Sequence, residues 1–366
     1  MIFMISCTTF SQIKHKIYGL GISAFGALNI DDSTYHVINP YININYTSSN
    51  SNTFDSENLR YIYKKDGLQN PDTIIVLDAE SGSIMQKITV EDNTMSRLEY
   101  DKYTNRVYGL GISAFGALDL DDSTYHVINP IINVNYAQYN TFDSENSRYI
   151  YKKDGLQNPD TIIVLDAGSG SIIQKITVED NTMSRLEYDK YTNRVYGLGI
   201  SAFGALDLDD STYHVINPDI NINYTQDNTF DSENSRYIYK KDGLQNPDTI
   251  IVLDAESGNI IQKITVEDNT MSRLEYCSYR FGNIINYGYS KTLALYPNPT
   301  YDIINVKTSD FIGSSLIVYN LTGKRLINTK IISYNTKVDL KNNPKGVYII
   351  SVEKNNMKYS SLMIKK

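Results

Sequence analysis

The chain has 366 residues, a formal net charge of −8 and a pI near 5.1, with 21% charged and 41% hydrophobic residues. That length suits two or three domains with a sizeable core. The acidic balance argues against nucleic acid, which wants a basic surface, and no apolar run approaches the roughly 18 residues of a membrane-spanning helix. The chain holds 31 Tyr and no Trp. Tyr, Ile, Val and Thr without a helical period favour strands.

Residues 1–11 read MIFMISCTTFS, apolar and then small and polar, without the basic start of a full secretory signal. They are expected to be a signal-peptide remnant cleaved before Gln12. The residues before Cys7 speak against its lipidation. Residues 12–286 are expected to form one repeat domain. The phrase Thr-Ile-Ile-Val-Leu-Asp-Ala stands at 73–79, 161–167 and 249–255, at spacings of 161 − 73 = 88 and 249 − 161 = 88. Residues 142–188 and 230–276 differ at two positions, Gly168 against Glu256 and Ser171 against Asn259. A fixed period of this length governs the fold.

Each 88-residue unit divides into two unlike halves of about 44 residues, each with four strand candidates. One half has candidates at Phe142–Asn146, Arg148–Tyr151, Thr161–Asp166 and Ile172–Val178. The other has them at Ser184–Tyr188, Arg194–Ile200, Thr212–Pro218 and Ile220–Tyr224. Lys153-Asp154-Gly155, Ser169-Gly170, Asp189–Asn193 and Asp209-Asp210-Ser211 supply turns between them. Four strands in 40 to 50 residues is the arithmetic of a propeller blade. Residues 12–276 number 265, and 265/6 is about 44, so six blades are expected. The first copy opens at His15–Ile22, the second strand of its blade, and the missing first strand, Met271–Tyr276, stands at the far end. Pairing of the two would close the ring without a free edge. Arg280–Tyr287 could imitate one further strand. Cys7 and Cys277 lie outside the repeat, since Asp101 and Asp189 match Cys277. Two cysteines make neither a disulfide framework nor a zinc site, and a bridge between them would require Cys7 to survive processing.

Residues 287–293 read as a linker. Residues 294–366 change composition and carry about seven short alternating strands, the size of an Ig-like sandwich.

The repeat region, through Ile250–Ile261 and Leu186–Gly197, resembles secreted propellers of the YVTN and quinoprotein-like type. Such folds host many activities, so the resemblance implies architecture alone. The last 73 residues resemble the type A C-terminal sorting domain of the type IX secretion system of Bacteroidetes. The resemblance rests on Tyr296-Pro297-Asn298-Pro299 with Asp302, on the Asn320–Gly323 turn, on Gly346 and Tyr348, and on the terminal Lys365-Lys366. It implies recognition by the type IX machinery and transit through the periplasm. The end point would be the medium or the outer cell surface.

Candidate chemistry is sparse. His36, His126 and His214 share one repeat position, but three alternate blades stand too far apart to share a metal whose ligands lie about 2.0–2.2 Å away. Asp121 and Asp122, with Asp209 and Asp210, sit in clusters with Asp119 and Asp207. They are the calcium candidates, though the clusters lack the spacing of an EF-hand loop and read as solvated turns. The Lys64-Lys65-Asp66-Gly67 turn and its copies at Lys152 and Lys240 could meet an acidic glycan, or are simply solvated hairpin loops. Tyr149, Tyr151, Tyr188 and Tyr196 are expected to pack between blades. No phosphate loop and no nucleophile triad is present, and no carboxylate pair stands out for glycoside cleavage. No catalytic residue and no cofactor is assigned. The expected function is a secreted, non-enzymatic scaffold that binds protein or glycan. The alternative is a polysaccharide hydrolase or lyase with acids in the channel, so the channel lining discriminates between them.

Overall fold

The computed structural model describes residues 12–281 and 295–366, apart from 22–23, 43–50, 68–70, 93, 113, 133–136, 157–158, 201, 221–224, 245–246, 269, 297, 308–313, 321–323, 332–334 and 355–356. Among the described residues every regular element is a strand. They fall into two compact units, the first ending at Phe281. The proposed signal remnant at 1–11, Cys7 and the linker at 287–293 lie outside the described residues.

The first unit holds six four-stranded antiparallel sheets. One of them runs β4 (Asn52–Asp55), β5 (Arg60–Lys65), β6 (Asp72–Asp78), β7 (Ile84–Val90). The next runs β8 (Ser96–Asp101), β9 (Arg106–Leu110), β10 (Phe115–Asp119), β11 (Tyr125–Asn129). The same two patterns recur as β12 (Ala137–Asp143) to β15 (Ile172–Val178), β16 (Ser184–Asp189) to β19 (Tyr213–Asn217), and β20 (Thr225–Asp231) to β23 (Ile260–Val266). Burial follows position in the sheet. The apolar run of β6 is covered on both faces, whereas β7 alternates exposed and buried residues at the rim.

The remaining sheet is made from both ends of the unit. Its order is β24 (Ser272–Phe281), β1 (Gln12–Leu20), β2 (Phe25–Asn29), β3 (Thr34–Asn39). Ile17 faces Tyr276 and Tyr18 faces Glu275, which is the closure that the unpartnered Met271–Tyr276 stretch predicts. Arg280 lies in this same strand, opposite Ile13, and the rest of the Arg280–Tyr287 stretch beyond Phe281 lies outside the described residues. The first strands β24, β4, β8, β12, β16 and β20 neighbour one another in that cyclic order, and β20 returns to β24. Cys277 is buried here where the two other copies hold buried Asp101 and Asp189. Those aspartates accept Thr104 Oγ1 at 2.8 Å and Thr192 Oγ1 at 2.7 Å in the turn to the second strand. The closing sheet has no such turn, so a small apolar residue fits, and burial pushes the Cys277 thiol up to about 12.

Adjacent residues of a strand face opposite sides, so Ile17 and Tyr18 enter different cores. Three inter-sheet cores are rich in Tyr and Phe, with Tyr18 stacked on Phe54 at 5.0 Å and Phe25 against Tyr61 at 5.1 Å. The three alternating with them are mainly aliphatic, built on residues such as Ile62, Ile74 and Val107. The expected packing of Tyr149, Tyr151 and Tyr196 between sheets is what is seen, while Tyr188 is half-buried. The aromatic interfaces are also latched at the rim. Asn39, Asn129 and Asn217 each donate to a glycine carbonyl of the next sheet, Gly82, Gly170 and Gly258, at 2.8 Å. These glycines have φ of +66°, +67° and +69°, and a Cβ would lie 2.6 Å from the Asn Cβ, so both conformation and space demand Gly.

Two strand assignments need correction. In the half carrying the His position, the third strand is β18 (Phe203–Asp207), and Tyr213–Asn217 is the fourth and outermost, not the third. Of the expected strand at Ile220–Tyr224, Ile220 is a buried loop residue and the rest lies outside the described residues.

In the second unit, β25 (Leu295–Tyr296), β26 (Ile303–Lys307) and β29 (Asn335–Asp339) form one sheet. β28 (Arg325–Lys330), β27 (Ser315–Asn320), β30 (Gly346–Lys354) and β31 (Met357–Lys365) form another. Both contribute to one core that includes Ile304, Val306, Val318, Val338, Ile350 and Met363.

Candidate functional site

Three of the inner strands carry the sequence Ser-Arg-Leu-Glu-Tyr, at 96–100, 184–188 and 272–276. In each, pairing with the second strand slips between the Ser and the Glu, a β-bulge. Arg97, Arg185 and Arg273 take φ of 53°, 52° and 54°, a left-handed conformation that costs a non-glycine residue about 1–3 kcal/mol. Tyrosines of the neighbouring sheets hold it in place: the Arg97, Arg185 and Arg273 carbonyls accept Tyr149, Tyr237 and Tyr61 hydroxyls at 2.5, 2.6 and 2.6 Å. The Arg97 guanidinium donates sideways to the Gln138 and Ala137 carbonyls at 2.7 and 2.5 Å, and Arg185 to that of Thr225 at 2.6 Å.

After the bulge, each Glu meets an Asn from a neighbouring inner strand. Asn140, Asn228 and Asn52 donate to Glu99, Glu187 and Glu275, each at 2.6 Å. These three pairs line one pocket of about 520 Å³ counted to its open mouth, together with Arg185, Arg273, Tyr139 and Asp227. Burial pushes the carboxyls of Glu99 and Glu187 well above the usual carboxylate range. Repulsion from Glu275 and Glu187 adds to this at Glu99, and repulsion from Glu275 adds to it at Glu187. Burial pushes Glu275 up to about 8. The Asn amides pull the other way without reversing the direction. Each Glu is half-buried by area, because the pocket reaches it. That access moderates the size of the shift and leaves its direction.

The Glu–Asn sites are what residue-by-residue reading misses. The available signal was an acid in the first strand of three alternate blades, since first strands face the axis of a propeller. The bulge that turns each Glu to its Asn has no mark in the sequence.

The calcium candidates lie in the turns between third and fourth strands. Asp121 accepts Asn105 Nδ2 at 2.7 Å and Asp122 accepts the Thr124 amide at 2.9 Å; Asp209 and Asp210 repeat this with Asn193 and Thr212 at 2.6 and 2.9 Å. The Thr124 hydroxyl and amide hold the Asp122 carboxyl below its ordinary range. Among the described residues, no three His, Cys, Asp or Glu come together to hold a metal ion. His36, His126 and His214 are exposed on three separate outermost strands, and the latter two contact Thr124 and Thr212 at 2.8 Å.

The lysine pairs are not simply solvated turns. Lys64, Lys152 and Lys240 are 3%, 2% and 1% exposed. Lys64 and Lys152 pair with Asp72 and Asp160 at 2.8 and 2.7 Å. Lys240 lies 3.5 Å from Asp248, 2.9 Å from Ser272 Oγ and 3.9 Å from Asp227. The first lysine of each pair is thus committed to the interior.

In the second unit, the residues of the C-terminal motif stitch its two ends together. Asn298 donates to the Leu362 carbonyl and accepts the Ile364 amide, both at 2.9 Å. The Lys366 amide donates to Thr300 at 2.8 Å. The buried Lys365 ammonium donates to the Leu340 and Asn343 carbonyls at 2.7 and 2.9 Å and lies 3.2 Å from Asp302. The Tyr348 hydroxyl donates to the Pro344 carbonyl. The Asn298–Pro299 peptide is cis, and Gly346 opens β30 with φ of +154°. Tyr296 is placed by its backbone in β25, while Pro297 and Gly323 lie outside the described residues.

Comparison with known proteins separates the two units. The chain is similar to a solved TolB from Acinetobacter baumannii at a TM-score of 0.53 and 10% identity, over 72% of this chain and 66% of that one. This similarity, with the repeated four-stranded sheets, makes the fold propeller-like. Hydrazine synthase from Kuenenia stuttgartiensis aligns at a TM-score of 0.46 and 8% identity, over 66% of this chain and 80% of that one, too low to bear on the fold. Among curated proteins, beta-agarase A of Zobellia galactanivorans is 42% identical over 60 residues, 16% of this chain and 11% of that enzyme. The family model of the secretion system C-terminal sorting domain matches residues 294–366. The chain therefore carries a type IX C-terminal sorting domain and is a protein exported to the cell surface or secreted.

Proposed function

We propose that the chain is a closed six-bladed propeller with an Ig-like sorting sandwich, and that outside the cell it is a non-enzymatic scaffold binding a ligand in its channel. The observation that carries this reading is the common state of the three channel carboxyls. Glycoside cleavage needs two carboxyl groups in different roles, one kept protonated and one ionised, and their surroundings drive them apart. Here each Glu has the same Asn partner at the same 2.6 Å, and all three are shifted upward. Three glutamates in one common environment, all pushed the same way, offer hydrogen bonds to a ligand without dividing among themselves into acid and nucleophile. Glycan is the favoured ligand over protein, because the pocket is lined mainly by Asn, Glu, Asp and Arg side chains with one Tyr, groups suited to sugar hydroxyls and a ring face. The short similarity to a beta-agarase adds only that agar belongs among the polysaccharides tested.

The test is a glycan and polysaccharide array probed with the full chain, read for both binding and release of reducing ends. Binding without release is expected. Release that Glu187→Gln abolishes would overturn the reading in favour of the hydrolase. Within the sorting domain, we assign the signal to Tyr296–Pro299, Asp302, Gly323, Gly346, Tyr348, Lys365 and Lys366. Removing residues 292–366 should strand the protein in the periplasm of a host with this secretion system. Normal release of the truncated chain would refute that role.

A further inference from the structure

The channel pocket is built from three repeats; one of its lining positions differs in sequence between them, and Arg97 and Leu98 of the first copy stay out of the lining. The Asn, Arg, Leu and Glu of the lining recur in the repeats; the residue before each Asn does not, being Ser51, Tyr139 and Asp227. Tyr139 and Asp227 line the pocket, whereas Ser51 is buried outside it. The difference changes the local chemistry. The Arg185 guanidinium lies over the Tyr139 ring at 5.6 Å, fixing an aromatic wall beside a cation. Asp227 stands 3.9 Å from Lys240, and that lysine is 3.5 Å from Asp248 where its two counterparts sit at 2.7–2.8 Å from theirs. The pocket therefore has one aromatic side and one acidic side on an otherwise repeated frame.

We infer that Tyr139 and Asp227 are the specificity-determining residues of the pocket, holding one end of a neutral saccharide chain in a single orientation. The inference rests on the glycan-binding reading above. The class follows from the lining: Arg185 and Arg273 oppose a cation, Asp227 opposes an anion, and a polyhydroxylated neutral ring meets donors and acceptors alternately. Tyr139 offers an edge or face to the apolar side of a sugar ring, and the Asp227 carboxylate accepts from its hydroxyls. With three identical sides, a saccharide would have three equivalent poses; the unlike sides leave one.

Calorimetric titration of the full chain with agaro-, cello-, laminari- and malto-hexaose tests this. Wild type should bind at least one of them with a stoichiometry of one. Asp227→Ser and Tyr139→Ser each install the residue of the first repeat, and each should weaken that binding at least tenfold with an unchanged melting temperature. Asp227→Asn should weaken it less than Asp227→Ser. Binding by wild type that both Ser variants match would overturn the inference while leaving the glycan-binding reading intact. No binding by wild type to any of the four would overturn both. Should a Ser variant melt early, Asp227→Asn and Tyr139→Ala decide in its place. Unchanged affinity in the former together with tighter or equal binding in Tyr139→Ala would likewise overturn the inference.

Discussion

Two sets of interior ionisable groups repeat three times in this chain, and their surroundings treat them oppositely. Lys64 and Lys152, on the second strands, each have an aspartate within 2.8 Å. Glu99, Glu187 and Glu275, on the first strands, have an amide donor and one another, and all shift toward the protonated form. The lysines are compensated charges that belong to the fold. The glutamates are acids gathered around a pocket, an arrangement that stability alone does not require. The contrast teaches where to look in a duplicated protein, since repetition is equal in both sets and only the pairing differs.

The largest effect should come from breaking a compensated pair. Lys152→Met leaves the buried Asp160 carboxylate without its cation, held by the Gly155 and Asn181 amides, and should destabilise the first unit by about 3–5 kcal/mol in chemical denaturation. Lys152→Met with Asp160→Leu should recover most of that loss, since replacing both partners is often neutral. If the single variant lost nothing, the lysines would not be structural in the sense drawn here.

The glutamates should show the opposite behaviour with pH. A carboxyl that holds its proton more tightly when folded contributes stability that is full below the unfolded value and is lost as pH rises through the folded one. Stability should thus fall between pH about 4.5 and about 8, the interval set by the ordinary value and Glu275. Each tenfold tightening of proton binding on folding corresponds to about 1.4 kcal/mol, before allowance for access through the pocket. The triple variant Glu99→Gln, Glu187→Gln, Glu275→Gln should flatten that slope in denaturation curves measured across the range. An unchanged slope would show that the glutamates are ordinary carboxylates.

A smaller effect tests the point where the two sets touch. Asp227→Ser should let Lys240 return toward Asp248, closing 3.5 Å to the spacing of the other copies. Stability should move by less than about 1 kcal/mol, in line with ordinary substitutions away from a core. A crystal structure with Lys240 unmoved would remove Asp227 as the cause of the difference. The smallest effect concerns the exposed acids. Calcium should raise the melting temperature no more than ionic strength does, and Asp121→Asn with Asp209→Asn should not change that response. A specific rise abolished by the pair would make those turns calcium sites.

Much of the architecture was legible because it is written as periodicity. The 88-residue spacing and the stray Met271–Tyr276 segment were enough to foresee the pairing of Ile17 with Tyr276. The third strand Phe203–Asp207 was missed because its centre is Gly-Ala, residues of low strand propensity. Packing overrides propensity there, since a Cβ at Gly204 would run into the Tyr213 ring. The Lys64, Lys152 and Lys240 turns looked solvated because a lysine pair beside Asp-Gly resembles a surface hairpin. The aspartates that bury Lys64 and Lys152 lie eight residues on, across the strand pair. The channel glutamates were hidden for a related reason: their partners come from other inner strands, and the bulge that delivers them depends on tyrosines of neighbouring sheets.

The most direct measurement is a carbon-detected NMR titration of the side-chain carboxyls of Glu99, Glu187 and Glu275, assigned with single Gln variants. All three should titrate above the ordinary Glu value of 4.5, with Glu275 near 8. A single carboxyl among them that ionises at or below 4.5 while another stays protonated at neutral pH would contradict the account. It would give the channel the acid and the nucleophile that a hydrolase needs.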